Sequence, residues 1–236
     1  MSKVSIIIPA FNEAVSIARC LKEIARAMNE SKFDYEVIVI DDGSDDSTYL
    51  VSNNVAKGNH KIKLIKNHVN MGKGHAIKRG LQLCSGDFIA YMDADFSMHP
   101  KQLKLFLSKL KEADAVIGSK RHPKSIISYP LHRKFLSRAF NLLVKLMFRI
   151  PFSDTQCGFK IFKREVLEKV YPKLLTKNYA FDVELLINVY RWGYKIVEAP
   201  VILRHWKERF GVGDIFRISI DLLPIFYRFY LCRSYA

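Results

Sequence analysis

Cysteine is sparse and unpaired in this sequence: Cys20, Cys84, Cys157 and Cys232 lie far apart, with no C-x-x-C between them. That excludes a disulfide framework and a zinc site, and a reducing, cytoplasmic compartment is the expectation. Long apolar runs are missing too. No stretch of about 18 uncharged apolar residues occurs, so no membrane-spanning helix is expected. Met1-Ser2-Lys3-Val4 runs straight into a strand-like segment, without the apolar core and cleavage site of a secretory signal. There is no internal repeat and no low-complexity segment. Acidic residues are outnumbered, 23 Asp+Glu against 38 Lys+Arg, and the formal charge of +15 calls for an anionic partner. Nucleic acid, anionic lipid and phosphorylated substrates all qualify.

With 236 residues, 49% of them hydrophobic, the chain can bury a full core and is expected to form one domain with a C-terminal appendage. Short β-branched runs at 4–8, 35–40, 61–66, 87–92 and 114–117 alternate with helical stretches at about 13–30, 46–56, 73–84 and 100–111. This reads as an α/β fold, a Rossmann-like and mostly parallel central sheet flanked by helices. Ligands of such sheets sit beyond the carboxyl ends of the strands. The second half, from about 119, is less regular and holds a basic turn, Lys120-Arg121-His122-Pro123-Lys124.

Four strand ends offer polar groups to one edge. The first, Pro9-Ala10-Phe11-Asn12-Glu13, lacks G-x-G-x-x-G and so loses the main support for a standard dinucleotide site. Phe11 could give a ring face to a base or simply belong to the core. Asp41 and Asp42 could bond a base or ribose, or cap the helix that begins near Asp46. Gly72-Lys73-Gly74 would let backbone approach a phosphate while Lys73 supplies charge, although the P-loop spacing is absent. Phe88-Ile89-Ala90-Tyr91-Met92 then delivers Asp93 and Asp95, two residues apart and therefore on the same side of an extended chain. Paired hard oxygen ligands suit Mg²⁺ or Mn²⁺ with coordination positions left open for substrate phosphates. A solvated strand end is the bland alternative.

These residues resemble glycosyltransferase family 2, with the GT-A fold, over nearly the whole chain. Val4 to Glu13 is similar to its V-S-I-I-I-P-x-[FY]-N-E opening, Val39-Ile40-Asp41-Asp42-Gly43-Ser44 to its V-I-D-D-G-S, and Asn70-Met71-Gly72-Lys73-Gly74 to its N-x-G-K-G. Asp93-Ala94-Asp95 falls where the family places a metal-binding D-x-D. Asp154-Thr155-Gln156-Cys157-Gly158-Phe159-Lys160 and Ala180-Phe181-Asp182-Val183-Glu184 resemble the branch that moves a hexose to dolichyl or polyprenyl phosphate. Tyr129 to Lys134 matches an acceptor-side segment of that branch's mannose-transferring members.

The resemblance implies a metal-dependent, inverting hexosyltransferase using UDP-glucose or GDP-mannose. It implies nucleotide-sugar contacts from Pro9, Ala10, Phe11, Glu13, Asp41, Asp42, Lys73, Met92, Asp93, Ala94 and Asp95, with Asp93 and Asp95 holding Mg²⁺ or Mn²⁺. Lys120, Arg121, Arg133 and Arg209 are the expected acceptor-phosphate contacts; as a charge run, Lys120, Arg121 and Arg133 would more often be merely solvated. Asp95, Arg133 and Asp182 are the expected catalytic residues, Asp182 as a base or orienting carboxylate with Glu184 as second choice. Phe181 to Glu184 could also be a plain helix start with acids at the positive dipole end. Two departures stand out: Ser97 occupies the place of a possible Gln metal ligand, and Arg209-Phe210-Gly211-Val212-Gly213 replaces an E-G-S-K stretch, leaving Lys207 and Arg209 as phosphate contacts.

The expected layout is a catalytic domain over 1–212, its nucleotide-sugar half at 1–118 and its acceptor half at 119–212, followed by a membrane-associating amphipathic helix at 213–236. Phe135 to Ile150 and Asp214 to Tyr230 mix apolar with basic residues, too charged to span a bilayer but suited to lie on its surface or to pack on the core. The expected location is therefore peripheral, on the cytoplasmic face of a membrane, with a membrane-anchoring partner subunit as a further expectation. No nucleic-acid partner is expected, because carboxylates gathered at the strand ends would repel a phosphate backbone. The rivals are a nucleotidyltransferase, which would carry a glycine-rich basic loop after strand one; a transferase acting on a soluble or cell-envelope glycan; and a basic nucleic-acid-binding protein.

Overall fold

The computed structural model describes residues 2–128, 131–203 and 212–232, with side chains described for all of these except 131–133 and 212–217. The first half alternates strand and helix: β1 Lys3–Ala10, α1 Ile17–Asn29, β2 Asp34–Asp41, α2 Thr48–Lys57, β3 Ile62–Lys66, α3 Lys73–Leu81, β4 Phe88–Tyr91, α4 Leu103–Lys109 and β5 Ala115–Ser119. The second half supplies β6 Ile126–Ile127, α5 Leu131–Phe148, β7 Lys160–Lys163, α6 Arg164–Val170, α7 Phe181–Arg191, β8 Ile196–Pro200, β9 Ile202–Leu203 and α8 Val212–Tyr230.

Seven strands form one sheet in the order β3-β2-β1-β4-β7-β5-β8, and β6 pairs with β9 apart from it. Pairing is parallel except at β7, which runs antiparallel between β4 and β5. The expected mostly parallel α/β sheet is thus present, with strands from the second half completing it. Period-two alternation sorts its side chains: Val4, Ile6 and Ile8 join one core with Ile17, Leu21, Ile24 and Phe106, whereas Ile7, Ile38 and Ile40 join a second core with Ile77, Val166 and Leu185 on the other face. Burial on both faces is what a parallel sheet requires, and it explains the near-continuous Ile/Val runs.

Several helix boundaries differ from expectation, α3 for example ending at Leu81 rather than 84. α1 starts at Ile17 rather than 13, because Ser16 and Ile17 donate backbone bonds back to the carbonyl of Glu13 and close a turn before the helix. The segment expected as a helix over 100–111 begins as a 3₁₀ turn, Pro100–Gln102, with Pro100 where its missing N–H costs nothing. Register sets the working edge. Ala10 lies beside Asp41 and Ile7 beside Tyr91, so the chains leaving β1, β2 and β4 emerge at one end of the sheet.

Helices α5 and α8 each have one face on the core. Val144 and Phe148 of α5 and Leu222 and Ile225 of α8 are buried, and the Phe148 ring meets Phe226 and Phe229 edge-on. Arg228 of α8 reaches the wholly buried Glu184 of α7 at 2.8 Å. The opposite faces stay apolar yet exposed: Phe135, Leu142 and Leu146 on α5, and Ile220, Leu223 and Tyr227 on α8. Packing on the core and presentation of an apolar face are therefore both realised, on different sides of the same helices. No helix among the described residues is long and apolar enough to cross a membrane.

Candidate functional site

A cavity of about 580 Å³ opens at the carboxyl end of the sheet. Pro9, Ala10, Phe11 and Glu13 from the β1 exit, Asp42 just past β2, Lys73 from α3, and Asp93, Ala94 and Asp95 from the chain leaving β4 stand on its wall. Leu136, Ser137 and Phe140 of α5, Ile218 of α8, and Leu203 continue the same cavity with an apolar surface. Phe11 is 41% exposed, so its ring faces the opening instead of the core. Met92, expected among the nucleotide-sugar contacts, is corrected: it is buried in the core beside Ala90, because the strand alternation carries past Tyr91 and turns it away from the cavity. Asp41 lies wholly buried behind the wall, where its Oδ1 accepts from the Ser44 N–H and its Oδ2 has no hydrogen-bond partner among the described residues.

Loop geometry explains much of the motif chemistry. Gly43 has φ +72, and a Cβ there would lie 2.4 Å from the Val69 carbonyl carbon, so the turn needs glycine on both conformational and steric grounds. Asp42 does not cap a helix; its carboxylate accepts from Asn67 Nδ2 and from the N–H groups of Met71 (3.1 Å) and Gly72 (2.8 Å) and so shapes the loop into α3. Ahead of α2, Asp46 accepts from the Thr48 N–H, while the N-cap residue Ser47 makes no side-chain cap bond. The glycine pair at 72 and 74 also has a packing reason. A Cβ on Gly72 would meet Asn178 Oδ1 at 2.5 Å, and one on Gly74 would meet Phe181 Cβ at 2.6 Å. These glycines seat α3 against residues 177–181 and thereby aim Lys73 into the cavity.

Lys73, Asp93 and Asp95 form its charged floor. Lys73 Nζ is 2.7 Å from Asp93 Oδ1 and 3.8 Å from Asp182 Oδ2. Burial pulls the Lys73 ammonium down, but Asp93 and Asp182 outweigh it and hold the group above its ordinary value. Asp95 accepts the Ser97 N–H at 2.9 Å, yet burial and the neighbouring Asp93 charge leave its carboxyl raised. Two carboxylates crowded in a partly dry cavity are the donor set that a small divalent cation suits, with water and phosphate oxygens filling its other positions. Among the described residues, no cluster of three or more acidic, His or Cys side chains is arranged for a metal. Ser97, at the place of a possible third ligand, lines the cavity and is nearly buried.

Of the two roles expected for Asp182, base or orienting carboxylate, its surroundings suit the second. This residue, the second of α7, is buried under the cavity wall; its Oδ1 accepts from the wholly buried Lys160 ammonium and from Tyr91 Oη at 2.6 Å. Burial alone would raise its carboxyl, but Lys160 and Lys73 hold it below the usual range, as an anion whose Oδ1 is taken and whose Oδ2 faces Lys73. Glu184, the second choice, accepts from the N–H groups of Leu175 and Thr176 and pairs with Arg228, a structural task.

On the acceptor side, Lys120 lines the cavity and lies 3.4 Å from Asp154 Oδ2. Arg121 is corrected: its guanidinium donates to the carbonyls of Ser153 and Ser137 and to Ser137 Oγ, which ties α5 to the body and keeps it off the cavity wall. The Arg133 side chain, and Lys207 and Arg209 entirely, lie outside the described residues.

Several wall and floor residues escaped a role in the sequence reading although their motif was in view. Gln156 and Gly158 both line the cavity, and Gln156 Nε2 is buried without a hydrogen-bond partner among the described residues. A Cβ on Gly158 would stand 1.8 Å from Asp93 Oδ2, so the carboxylate occupies the space where a side chain would be. The one usable signal was Lys160, a charge set in the apolar run Phe159-Lys160-Ile161-Phe162.

A family model described as Glycosyl transferase family 2 matches residues 5–171. The chain is 34% identical to a dolichyl-phosphate beta-glucosyltransferase of Dictyostelium discoideum, over 96% of this chain and 75% of that protein. It is 32% identical to the dolichyl-phosphate beta-glucosyltransferase ALG5A of Trichomonas vaginalis, over 94% and 72%. The similarity to glycosyltransferase AglD of Haloferax volcanii is 31%, over 94% of this chain, which spans only 35% of that relative's length. Among solved structures, glucosyl-3-phosphoglycerate synthase of Mycobacterium tuberculosis with Mn²⁺ and UDP-glucose superposes with a TM-score of 0.73 at 21% identity, covering 96% of this chain and 78% of that one. The same synthase with Mg²⁺ and UDP gives 0.72 at 20% identity, covering 96% and 78%.

Proposed function

The chain belongs to glycosyl transferase family 2 and has its GT-A fold, and from that premise we propose that it moves glucose from UDP-glucose to dolichyl or polyprenyl phosphate with inversion at C1. One observation carries the reading: a single cavity joins the Lys73, Asp93 and Asp95 floor to an apolar wall built by α5 and α8. A diphosphate suits the first part and an isoprenoid chain the second. The names of two relatives support glucose and a β linkage.

In this reading residues 1–118 hold the nucleotide sugar and 119–212 the acceptor. Phe11 stacks on the base, Glu13 and Asp42 bound the nucleoside pocket, and Lys73 meets the diphosphate. Mg²⁺ or Mn²⁺ bound by Asp93 and Asp95 would offset the negative charge that grows on the departing diphosphate. Lys120 and Arg133 orient the acceptor phosphate. A phosphate monoester has its second pKa near ~6, so the attacking oxygen is already largely deprotonated at neutral pH and no strong base is needed. That agrees with Asp182 serving as a buried anchor. The exposed stripes of α5 and α8, with the exposed Arg138 and Arg149 beside them, support peripheral contact with an anionic, cytoplasmic membrane face through residues 213–236 and α5.

The test is incubation with labelled UDP-glucose or GDP-mannose, polyprenyl phosphate and Mn²⁺, followed by organic extraction. Label from UDP-glucose should enter the organic phase with the native chain and not with Asp95→Ala. Label from GDP-mannose instead would reassign the donor, and near-normal turnover by Asp95→Ala with saturating metal would remove the metal seat.

A further inference from the structure

Lys73 already occupies part of the place a metal would need. Its ammonium sits 2.7 Å from Asp93 Oδ1, with only 15% of its side chain exposed. Below it, Asp182 divides its two oxygens. Oδ1 is taken by Lys160 and Tyr91, whereas Oδ2 is turned toward Lys73 at 3.8 Å. Lys73 therefore has a second carboxylate within about an ångström of bonding distance, and it can change partner by rotating its side-chain end.

We infer that Lys73 is the resident counter-ion of Asp93, that it competes with the divalent cation for this carboxylate, and that it gives up Asp93 for the diphosphate oxygens, with Asp182 Oδ2 as its remaining carboxylate partner, when cation and nucleotide diphosphate enter. The inference rests on the reading of Asp93 and Asp95 as the metal seat. Without a cation, Lys73 offsets the mutual repulsion of the two carboxylates. A divalent ion arriving there meets a positive charge only a few ångströms away, which weakens its hold when no diphosphate is present. A diphosphate reverses the balance, because its oxygens accept from Lys73 and coordinate the cation at the same time. Lys160 and Tyr91 act as positioning residues by fixing the Asp182 carboxylate. The consequence is that the cation binds weakly to the empty chain and firmly only together with the nucleotide.

Mn²⁺ binding, read from the electron paramagnetic resonance signal of free Mn²⁺, tests this without any turnover. On the nucleotide-free chain, Lys73→Gln should bind Mn²⁺ roughly fivefold to tenfold tighter than the native chain, the scale of one lost charge contact. Lys73→Arg, which keeps the charge, should stay near the native value. Adding UDP should tighten Mn²⁺ binding strongly in the native chain and much less in Lys73→Gln. Thermal melting checks folding, and Lys73→Met takes the place of Lys73→Gln if that variant does not fold. Unchanged or weaker Mn²⁺ affinity in the charge-free variant overturns the counter-ion inference while leaving the metal seat in place. Failure of the native chain to bind Mn²⁺ even with UDP removes the metal seat and the inference with it.

Discussion

Gly158→Ala places a methyl group where a carboxylate now lies. The added Cβ would be 1.8 Å from Asp93 Oδ2 and 2.3 Å from its Cγ, while the glycine backbone itself needs no left-handed conformation. Restoring ordinary contact requires the Asp93 carboxylate to recede by roughly 1.5 Å. Asp93 is one-third exposed, so its side chain can swing toward the cavity without disturbing the core. The stability cost is accordingly small, about 1 kcal/mol for the weakened Lys73 pair. The functional cost is large, because a displacement of about 1 Å in a reacting array commonly lowers rate by on the order of a hundredfold. We expect Gly158→Ala to melt within a few degrees of the native chain while hexose transfer falls at least ~100-fold and Mn²⁺ affinity in the presence of UDP drops. Parallel melts, a transfer assay and Mn²⁺ titration read all three. Transfer within threefold of native would refute the claim that Gly158 makes room for Asp93, and gross unfolding would refute the claim that the Asp93 carboxylate can yield toward the cavity.

Lys160→Met should destabilise the fold by about 3–5 kcal/mol, because Asp182 would keep its charge in a buried place without its main partner; a loss under 1 kcal/mol in urea unfolding would contradict the buried network. Glu36 is nearly buried, and although burial pushes its carboxyl up, bonds from Ser5, Lys63 and Ser85 win and lower it to about 2. Its folded value lies below the unfolded one, so its contribution is complete above about pH 4.5 and fades as pH falls toward about 2. The stability gap between the native chain and Glu36→Gln, about 1–3 kcal/mol at pH 7, should narrow between pH 4.5 and pH 3 in denaturant melts; a gap constant with pH would count against this. Leu142→Asp combined with Leu223→Asp alters two exposed positions and should reduce flotation with anionic liposomes severalfold without lowering the melting temperature. Undiminished flotation would exclude the α5 and α8 faces as the contact.

The first half was legible because its signals are local. Ile and Val at period two mark strands wherever they occur, and Asp93 and Asp95 follow β4 at the expected edge, although β4 ends at Tyr91 and Asp95 sits in the turn beyond it. The second half hid more. β7 is four residues long and includes a buried lysine, so neither its length nor its pattern marks a strand, and its antiparallel insertion between β4 and β5 depends on partners distant in the chain. The amphipathic helices were visible, but which side of each would meet the core was not. That choice rests on Phe148, Leu222, Ile225 and the Arg228–Glu184 pair.

By itself the sequence determined the class of sheet, the edge where chemistry gathers, and the pair of carboxylates suited to a divalent cation. These follow from backbone periodicity and from the positions where strands end. Only the tertiary structure decided what each charge does. It turned Asp182 from a candidate base into a buried anchor, spent Arg121 on backbone carbonyls, withdrew Met92 into the core, and brought Gly158 and Lys73 against Asp93. The physical reason is that burial and pairing are set by neighbours from elsewhere in the chain, such as Lys160 beside Asp182 or residues 177–181 beside Gly72, and no local pattern specifies them.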